Sequence, residues 1–269
     1  MSNVILITGA SSGIGKSSAE YLAKKGNIVY GTSRKEMESN HENIFFLQMD
    51  VTDRESVKKG ISRIIEEQGK IDTVINNAGI GILGALELAT EKEIRLQMET
   101  NFYGTVNVCS EVIPHFRKQN KGKIINISSV GGVMGLPYQG FYSASKFAVE
   151  GYSEALSLEL HQFNIRVVII EPGDFNTGFT SNRLISDATI NDVDYKASVE
   201  TTLKIIKKEE SNGCHPDKIA KLINKIIRKK KPRFRYPIGK FEQVLSIYAK
   251  RFLPNRWYNT ILRSYYKVP

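Results

Sequence analysis

Short runs rich in β-branched residues recur through the first 170 residues of this chain, and most are separated by stretches of helix length. They are Val4–Ile7, 28–32, Ile44–Gln48, Thr73–Asn76, 123–127 and 166–170. The stretches 14–25, 54–67, 91–118 and 142–163 read as helices, and 233–236 reads as a seventh, edge strand. Strands of this length that are apolar throughout need cover on both faces. Helices between them supply it, so the pattern predicts βαβ units and a parallel sheet. The expected fold class is therefore α/β: a single doubly wound sheet of about seven strands, with its ligand crevice at the carboxyl ends of the strands.

At 269 residues the chain suits one large core rather than two domains. The reading divides it into a domain over 1–236, including a substrate loop at 174–213, and a C-terminal extension over 237–269. With 41% hydrophobic and 25% charged residues it lacks the composition of a multi-spanning membrane protein. Met1-Ser2-Asn3 leads straight into an apolar run without the basic segment of a signal peptide, which predicts a cytoplasmic location. Cys109 and Cys214 give no disulfide framework, and His41, His115, His161 and His215 lack metal-ligand spacing, so no metal is expected.

Directly after the first strand stands Thr8-Gly9-Ala10-Ser11-Ser12-Gly13-Ile14-Gly15, a glycine-rich turn that opens a helix. Glycines let a backbone approach a pyrophosphate closely, and the helix N-terminus offers free N–H groups and a favourable dipole. The spacing T-G-x-x-x-G-x-G resembles the fingerprint of the short-chain dehydrogenase/reductase family. That family's further motifs follow in order: Asp50-Val51, Asn76-Asn77-Ala78-Gly79, Asn101, Ser128-Ser129, Tyr142-Ser143-Ala144-Ser145-Lys146 and Pro172-Gly173. The stretch from Ser129 to Gly151 is similar to the branch holding type 1 17β-hydroxysteroid dehydrogenase and the retinol dehydrogenases. The resemblance implies a Rossmann fold and an oxidoreductase that interconverts a hydroxyl and a carbonyl on a lipophilic substrate of steroid, retinoid or long-chain kind.

Tyr142 and Lys146 stand four residues apart, on one helix face. A free tyrosine, with a pKa of about 10, is a poor base at neutral pH, and a nearby ammonium favours its anion. Tyr142 is thus the candidate general acid/base, with Lys146 as its electrostatic partner. Ser128 and Ser129 at a strand end face opposite ways, so only one enters the cleft. Ser129, thirteen residues before Tyr142, looks like the family's substrate-polarising serine. Asn101 resembles the asparagine that completes the family's tetrad by holding a relay water, and a buried asparagine at a helix distortion is compatible with that role.

At the end of the second strand Ser33 and Arg34 replace the acidic residue that an NAD site uses on the ribose hydroxyls, and an arginine suits a 2′-phosphate. NADP(H) is the expected cofactor, with NAD(H) accommodated if Arg34 is merely solvated. By resemblance, Asp50 receives the adenine amino group and Val51 packs on the ring. Asn77, Ala78 and Gly79 line the cofactor, and Pro172 and Gly173 lie beside the nicotinamide. With its Ser, Tyr and Lys unbroken, the chain is expected to turn over rather than to serve as a silent dinucleotide-binding regulator or redox sensor.

The net charge of +10 is unevenly spread: residues 201–269 hold 18 Lys or Arg against 4 Asp or Glu. From Lys229 on, basic residues interleave with aromatics. The favoured reading is a solvated basic face whose aromatics dock on the domain and roof the cleft. Peripheral contact with an anionic membrane is the second reading, and nucleic acid is not an expected partner. Family members associate through the helices read at 91–118 and 142–163, which implies a homodimer or homotetramer.

Overall fold

The computed structural model describes residues 2–179 and 182–269. Its main sheet contains β1 (Val4–Ile7), β2 (Ile28–Ser33), β3 (Ile44–Gln48), β4 (Thr73–Asn76), β5 (Gly122–Ile127), β6 (Ile165–Pro172) and β7 (Arg235–Ile238). All seven are parallel and run in the order 3-2-1-4-5-6-7. Side chains alternate along each strand into two cores. Leu6, Tyr30, Val74, Ile124 and Val167 fill one, while Ile5, Ile7, Val29, Ile75, Ile125 and Val168 fill the other. Both faces are dry, which is why these strands read as unbroken apolar runs.

Besides a short helix at Asp187–Asn191, the α-helices are α1 (Gly13–Lys24), α2 (Arg54–Gln68), α3 (Glu91–Met98), α4 (Gly104–Gln119), α5 (Gly140–Glu159), α6 (Lys196–Ser211), α7 (Asp217–Arg228), α8 (Phe241–Phe252) and α9 (Asn255–Tyr266). One core is covered by α1 and α7, through Ala19, Leu22, Ile219, Ile223 and Ile226. The other is covered by α2, α4 and α5, through Val57, Ile61, Ile64, Val108, Val112, Phe116 and Leu156. Each fully buried aliphatic side chain contributes about 1.5–3 kcal/mol. Asp53 caps α2 by accepting from the Glu55 and Ser56 N–H groups, and Gly69 ends it in the left-handed conformation.

Two local expectations shift, and one element is added. The helix read over 91–118 is interrupted by a π-helical turn, Glu99–Tyr103, where the Gly104 N–H reaches back to Glu99 O. The cause is tertiary. Asn101 is tied to the backbone of Ile80, and Gly104 lies so close to Val51 that a Cβ would stand 2.6 Å from Val51 Cγ2. The edge strand lies at Arg235–Ile238, two residues beyond the 233–236 reading, and so crosses the boundary set at 236. Pro237 is tolerated because β7 pairs only with β6. A second, two-stranded parallel sheet, Ile82–Leu83 with Leu184–Ile185, pins the substrate loop to the end of the main domain.

Candidate active site

At the carboxyl end of β1 the chain turns with Gly9 and Gly13 at φ of +65° and +53°, a region that side chains with a Cβ rarely adopt. Gly15 is constrained by space instead: a Cβ there would lie 2.3 Å from Gly9 O and 2.6 Å from Asn77 Nδ2. The Thr8 hydroxyl accepts from the Asn77 and Ala78 N–H groups, at 3.0 Å each, and Asn77 Nδ2 donates to Thr8 O and Gly9 O. These bonds lock the turn after β4 onto the turn after β1. Ser12, at the N-cap of α1, makes no side-chain cap bond, and the first turn of the helix carries no acidic residue. A bare helix N-terminus against a backbone without side chains suits a pyrophosphate, so the residues present fit a dinucleotide.

The flanks of this cradle hold the other residues read for the dinucleotide. Arg34 is exposed beyond β2, and its guanidinium makes no ion pair among the described residues, leaving it available to a phosphate. Ser33 Oγ accepts from Lys35 N and shapes that turn. Asp50 Oδ1 accepts from Thr52 N and Oγ1, while Val51 is buried against Gly104. The sequence reading missed Thr32, whose hydroxyl accepts from Gly9 N and whose carbonyl accepts from Ala10 N. It also missed Gly31, where a Cβ would meet Ala10 Cβ at 2.8 Å.

Across the cleft, α5 carries Tyr142 and Lys146. Lys146 is buried and its ammonium donates to Ile127 O at 2.8 Å, lying 5.9 Å from the centre of the Tyr142 ring. A Cβ on Gly79 would stand 3.2 Å from Asn101 Oδ1 and 3.7 Å from Lys146 Nζ, so these groups converge on one spot. Asn101 is held on every side: Oδ1 accepts from Ile80 N at 2.8 Å, and Nδ2 donates to Ile80 O and Ser145 Oγ at 3.0 Å. Ser129 Oγ accepts from Gly131 N at 3.0 Å and faces the Tyr142 ring across Gly131, where a Cβ would stand 3.2 Å from Tyr142 Cε1 and 3.5 Å from Ser129 Oγ. Ser128 points the other way, over Gly132 and beside Glu150, as strand alternation requires.

The electrostatics depart from the expected lowering of Tyr142. Burial raises its phenol, with Glu210 and Asp174 adding to the rise, and Ser129 and Arg183 act only as partial offsets. The protein by itself therefore keeps Tyr142 a neutral acid. Burial lowers Lys146 to about 8, against the pull of Glu150 one turn on. Glu150 belongs to a cluster the sequence did not reveal. Arg235, on the edge strand, pairs with Glu150, with Glu171 at 3.1 Å and with Glu154 at 2.8 Å. These partners are 64 to 85 residues away in sequence, so only the parallel pairing of β7 brings them together.

On the substrate side, Phe179 lies 6.1 Å from the Tyr142 ring, and Arg183 stands over Phe179 while making a two-point ion pair with Glu210. The extension reaches the same end of the sheet. Gln243 Oε1 accepts from Asp174 N, and a Cβ on Gly173 would collide with it. Tyr258 is buried, with its hydroxyl on Met134 Sδ. The expectation that C-terminal aromatics dock on the domain thus holds for Tyr258. Among the described residues no cluster of metal-ligating side chains occurs, and no helix is long and apolar enough to cross a membrane.

Residues 3–187 match the family described as short chain dehydrogenase. The chain is 57% identical over 265 residues to 3-ketodihydrosphingosine reductase of Bacteroides thetaiotaomicron, covering 98% of both chains. It is 31% identical to retinol dehydrogenase 8 of Bos taurus, over 86% of this chain and 80% of that one. A short-chain dehydrogenase from Streptomyces avermitilis superposes with a TM-score of 0.85 at 28% identity, covering 100% and 98%. The NADP-bound structure of ElxO superposes with a TM-score of 0.73 at 28% identity, covering 88% and 97%. These likenesses reach the retinol dehydrogenases but do not single out the 17β-hydroxysteroid branch. By sequence match, fold and cradle, the chain belongs to the short chain dehydrogenase family and is an oxidoreductase acting on CH–OH groups with a nicotinamide dinucleotide.

Proposed function

We propose that this chain reduces the ketone of a long-chain amino ketone of the 3-ketodihydrosphingosine kind, using NADPH. The observation that carries the reading is the convergence of Tyr142, Ser129 and Lys146 at the mouth of the cradle. A phenol that holds its proton is the acid that carbonyl reduction requires. The substrate class is supported by the relative that matches this chain at 57% over nearly its whole length. When bound, the reduced dinucleotide supplies the hydride. Ser129 donates to the carbonyl oxygen and orients it, and Tyr142 gives its proton to that oxygen as it becomes a hydroxyl. Lys146 as an ammonium steadies the phenolate left behind, and a positive charge in a dry site is worth more than in water. Asn101 positions the Gly79–Ile80 turn against which the reaction takes place. Arg34 selects the 2′-phosphate, with NAD(H) a poorer alternative. Copies associate, as a dimer or a tetramer, through α3, α4 and α5 and the turn before α4, where Tyr103, Phe147 and Leu158 are exposed.

The purified chain is to be assayed with 3-ketodihydrosphingosine, retinal, a steroid ketone and a small ketone, each with NADPH and NADH. The long-chain amino ketone with NADPH is expected to give the highest kcat/KM. A faster reaction with retinal or steroid overturns the substrate class. Tyr142→Phe is expected to lower kcat by a factor of about 10²–10⁴ while leaving NADPH affinity unchanged. Full activity in that variant removes the assigned proton donor.

A further inference from the structure

Half of the large hydrophobic side chains that are exposed among the described residues lie in the last helical pair. On α8 they are Phe241, Leu245, Tyr248 and Phe252, with Phe241 and Phe252 76% and 79% exposed. At 100° per residue these four fall within an arc of about 60°. Gln243 and Ser246, which hold α8 to Asp174 and Met134, lie on the opposite side. On α9, Trp257, Ile261 and Tyr265 form a second outward row, while Tyr258 is buried on the domain. The helix α8 is thus anchored by one face and bare on the other, and α9 is bare along Trp257 and Ile261, with Tyr265 at the edge of its anchored side.

The charge around these rows has one sign. Residues 237–269 contain six Lys or Arg and a single acidic residue, Glu242. Arg251, Arg256, Arg263 and Lys267 are exposed and form no ion pair among the described residues. The exposed Lys229, Lys230 and Lys231 are likewise without an ion pair there. A second copy seated on this face would set arginines against arginines. An anionic bilayer offers the complementary charge for the rim and an apolar layer for the rows, and apolar rows with a basic rim are the make-up of helices that lie in the membrane interface.

We infer that α8 and α9 form a docking face that lies on the surface of an anionic phospholipid bilayer, with Phe241, Phe252 and Trp257 entering the interface and the arginines facing the headgroups. Since α8 abuts Gly173 at the end of β6, the face sets the cleft beside the lipid layer. The inference stands on the surface itself and does not depend on the substrate named above.

Trp257 is the sole tryptophan, so its emission reports the face directly. The full chain is to be mixed with vesicles of phosphatidylcholine alone and of phosphatidylcholine with phosphatidylglycerol. Expected are a blue shift of Trp257 and co-sedimentation with the anionic vesicles only, with partition falling about tenfold or more at ~0.5 M salt. Phe241→Ser with Phe252→Ser is expected to cut partition about tenfold, as is Arg251→Glu with Arg256→Glu. All four positions are exposed, and NADPH affinity and reduction of a water-soluble ketone should stay at the parent level. Absence of a shift with anionic vesicles, or equal binding to neutral ones, overturns the inference. A shift that follows protein concentration without lipid, together with a larger mass in sedimentation, assigns the face to a second copy and overturns it too.

Discussion

The cofactor cradle and the substrate side of the cleft are built on different principles. Around Gly9, Gly15 and Asn77, backbone atoms approach so closely that substitution of a single hydrogen by a methyl group meets a carbonyl oxygen at 2.3 Å. The partners lie within neighbouring turns after β1, β2 and β4. Around Asp174, Arg183 and Gln243, the cleft is closed instead by long side chains reaching from remote segments, with Gln243 bonding a residue 69 positions earlier. The first region accepts one kind of ligand and has no room to vary. The second can change its side chains without moving the sheet, which is how one fold serves many substrates.

That contrast can be broken by mutation. The largest effect is expected for Gly15→Ala, where overpacking against Gly9 O costs about 3 kcal/mol and weakens NADPH binding about 100-fold, as read by nicotinamide fluorescence titration. A variant that binds normally would show the cradle to be more yielding than its geometry says. Next comes Asp174→Asn. Burial and Glu210 push this carboxyl up to about 6 from 3.8, so its ionisation opposes folding. The penalty is absent below the unfolded pKa, grows as pH rises from 3.8 to about 6, and is fully present above that. The variant is therefore expected to be more stable than the parent by about 1–2 kcal/mol at pH 8 and no more stable at pH 4. Thermal melts at the two values check the sign.

Arg34→Asp should move the NADPH-to-NADH preference in kcat/KM by about tenfold or more, corresponding to loss of one charge-assisted contact; an unchanged ratio would place the phosphate elsewhere. The smallest effect belongs to Gln243→Ala. It should raise KM for the ketone severalfold through the loss of about 1 kcal/mol of hydrogen bonding to Asp174, and leave NADPH affinity and the activity toward a small ketone intact. Equal losses for both ketones would mean that α8 steadies the domain and does not serve the substrate end.

Much of the site was legible from residue order. The turn at Thr8 to Gly15 and the shared face of Tyr142 and Lys146 follow from local rules about glycine and helix spacing, while the choice of Ser129 over Ser128 came from its family-like distance to Tyr142; the structure brings these residues to one cleft. Thr32 and Gly31 escaped notice because a threonine and a glycine in a strand carry no signal until Ala10 is packed against them. The cluster of Arg235 with Glu150, Glu154 and Glu171 escaped because nothing local marks an edge strand's partner.

By itself the sequence determined the parallel sheet, the crevice at its carboxyl end and the glycine turn that opens there, because strand period, helix period and glycine geometry act over a few residues; the groups facing each other across the crevice were marked by the family's motifs. Tertiary structure alone decided the direction in which the Tyr142 phenol shifts, the π-turn that holds Asn101, and the division of the helix Phe241–Phe252 into an anchored face and a bare one. Burial and charge neighbours arise only when distant segments meet, and a pKa or an exposed stripe is a property of that meeting rather than of the residue.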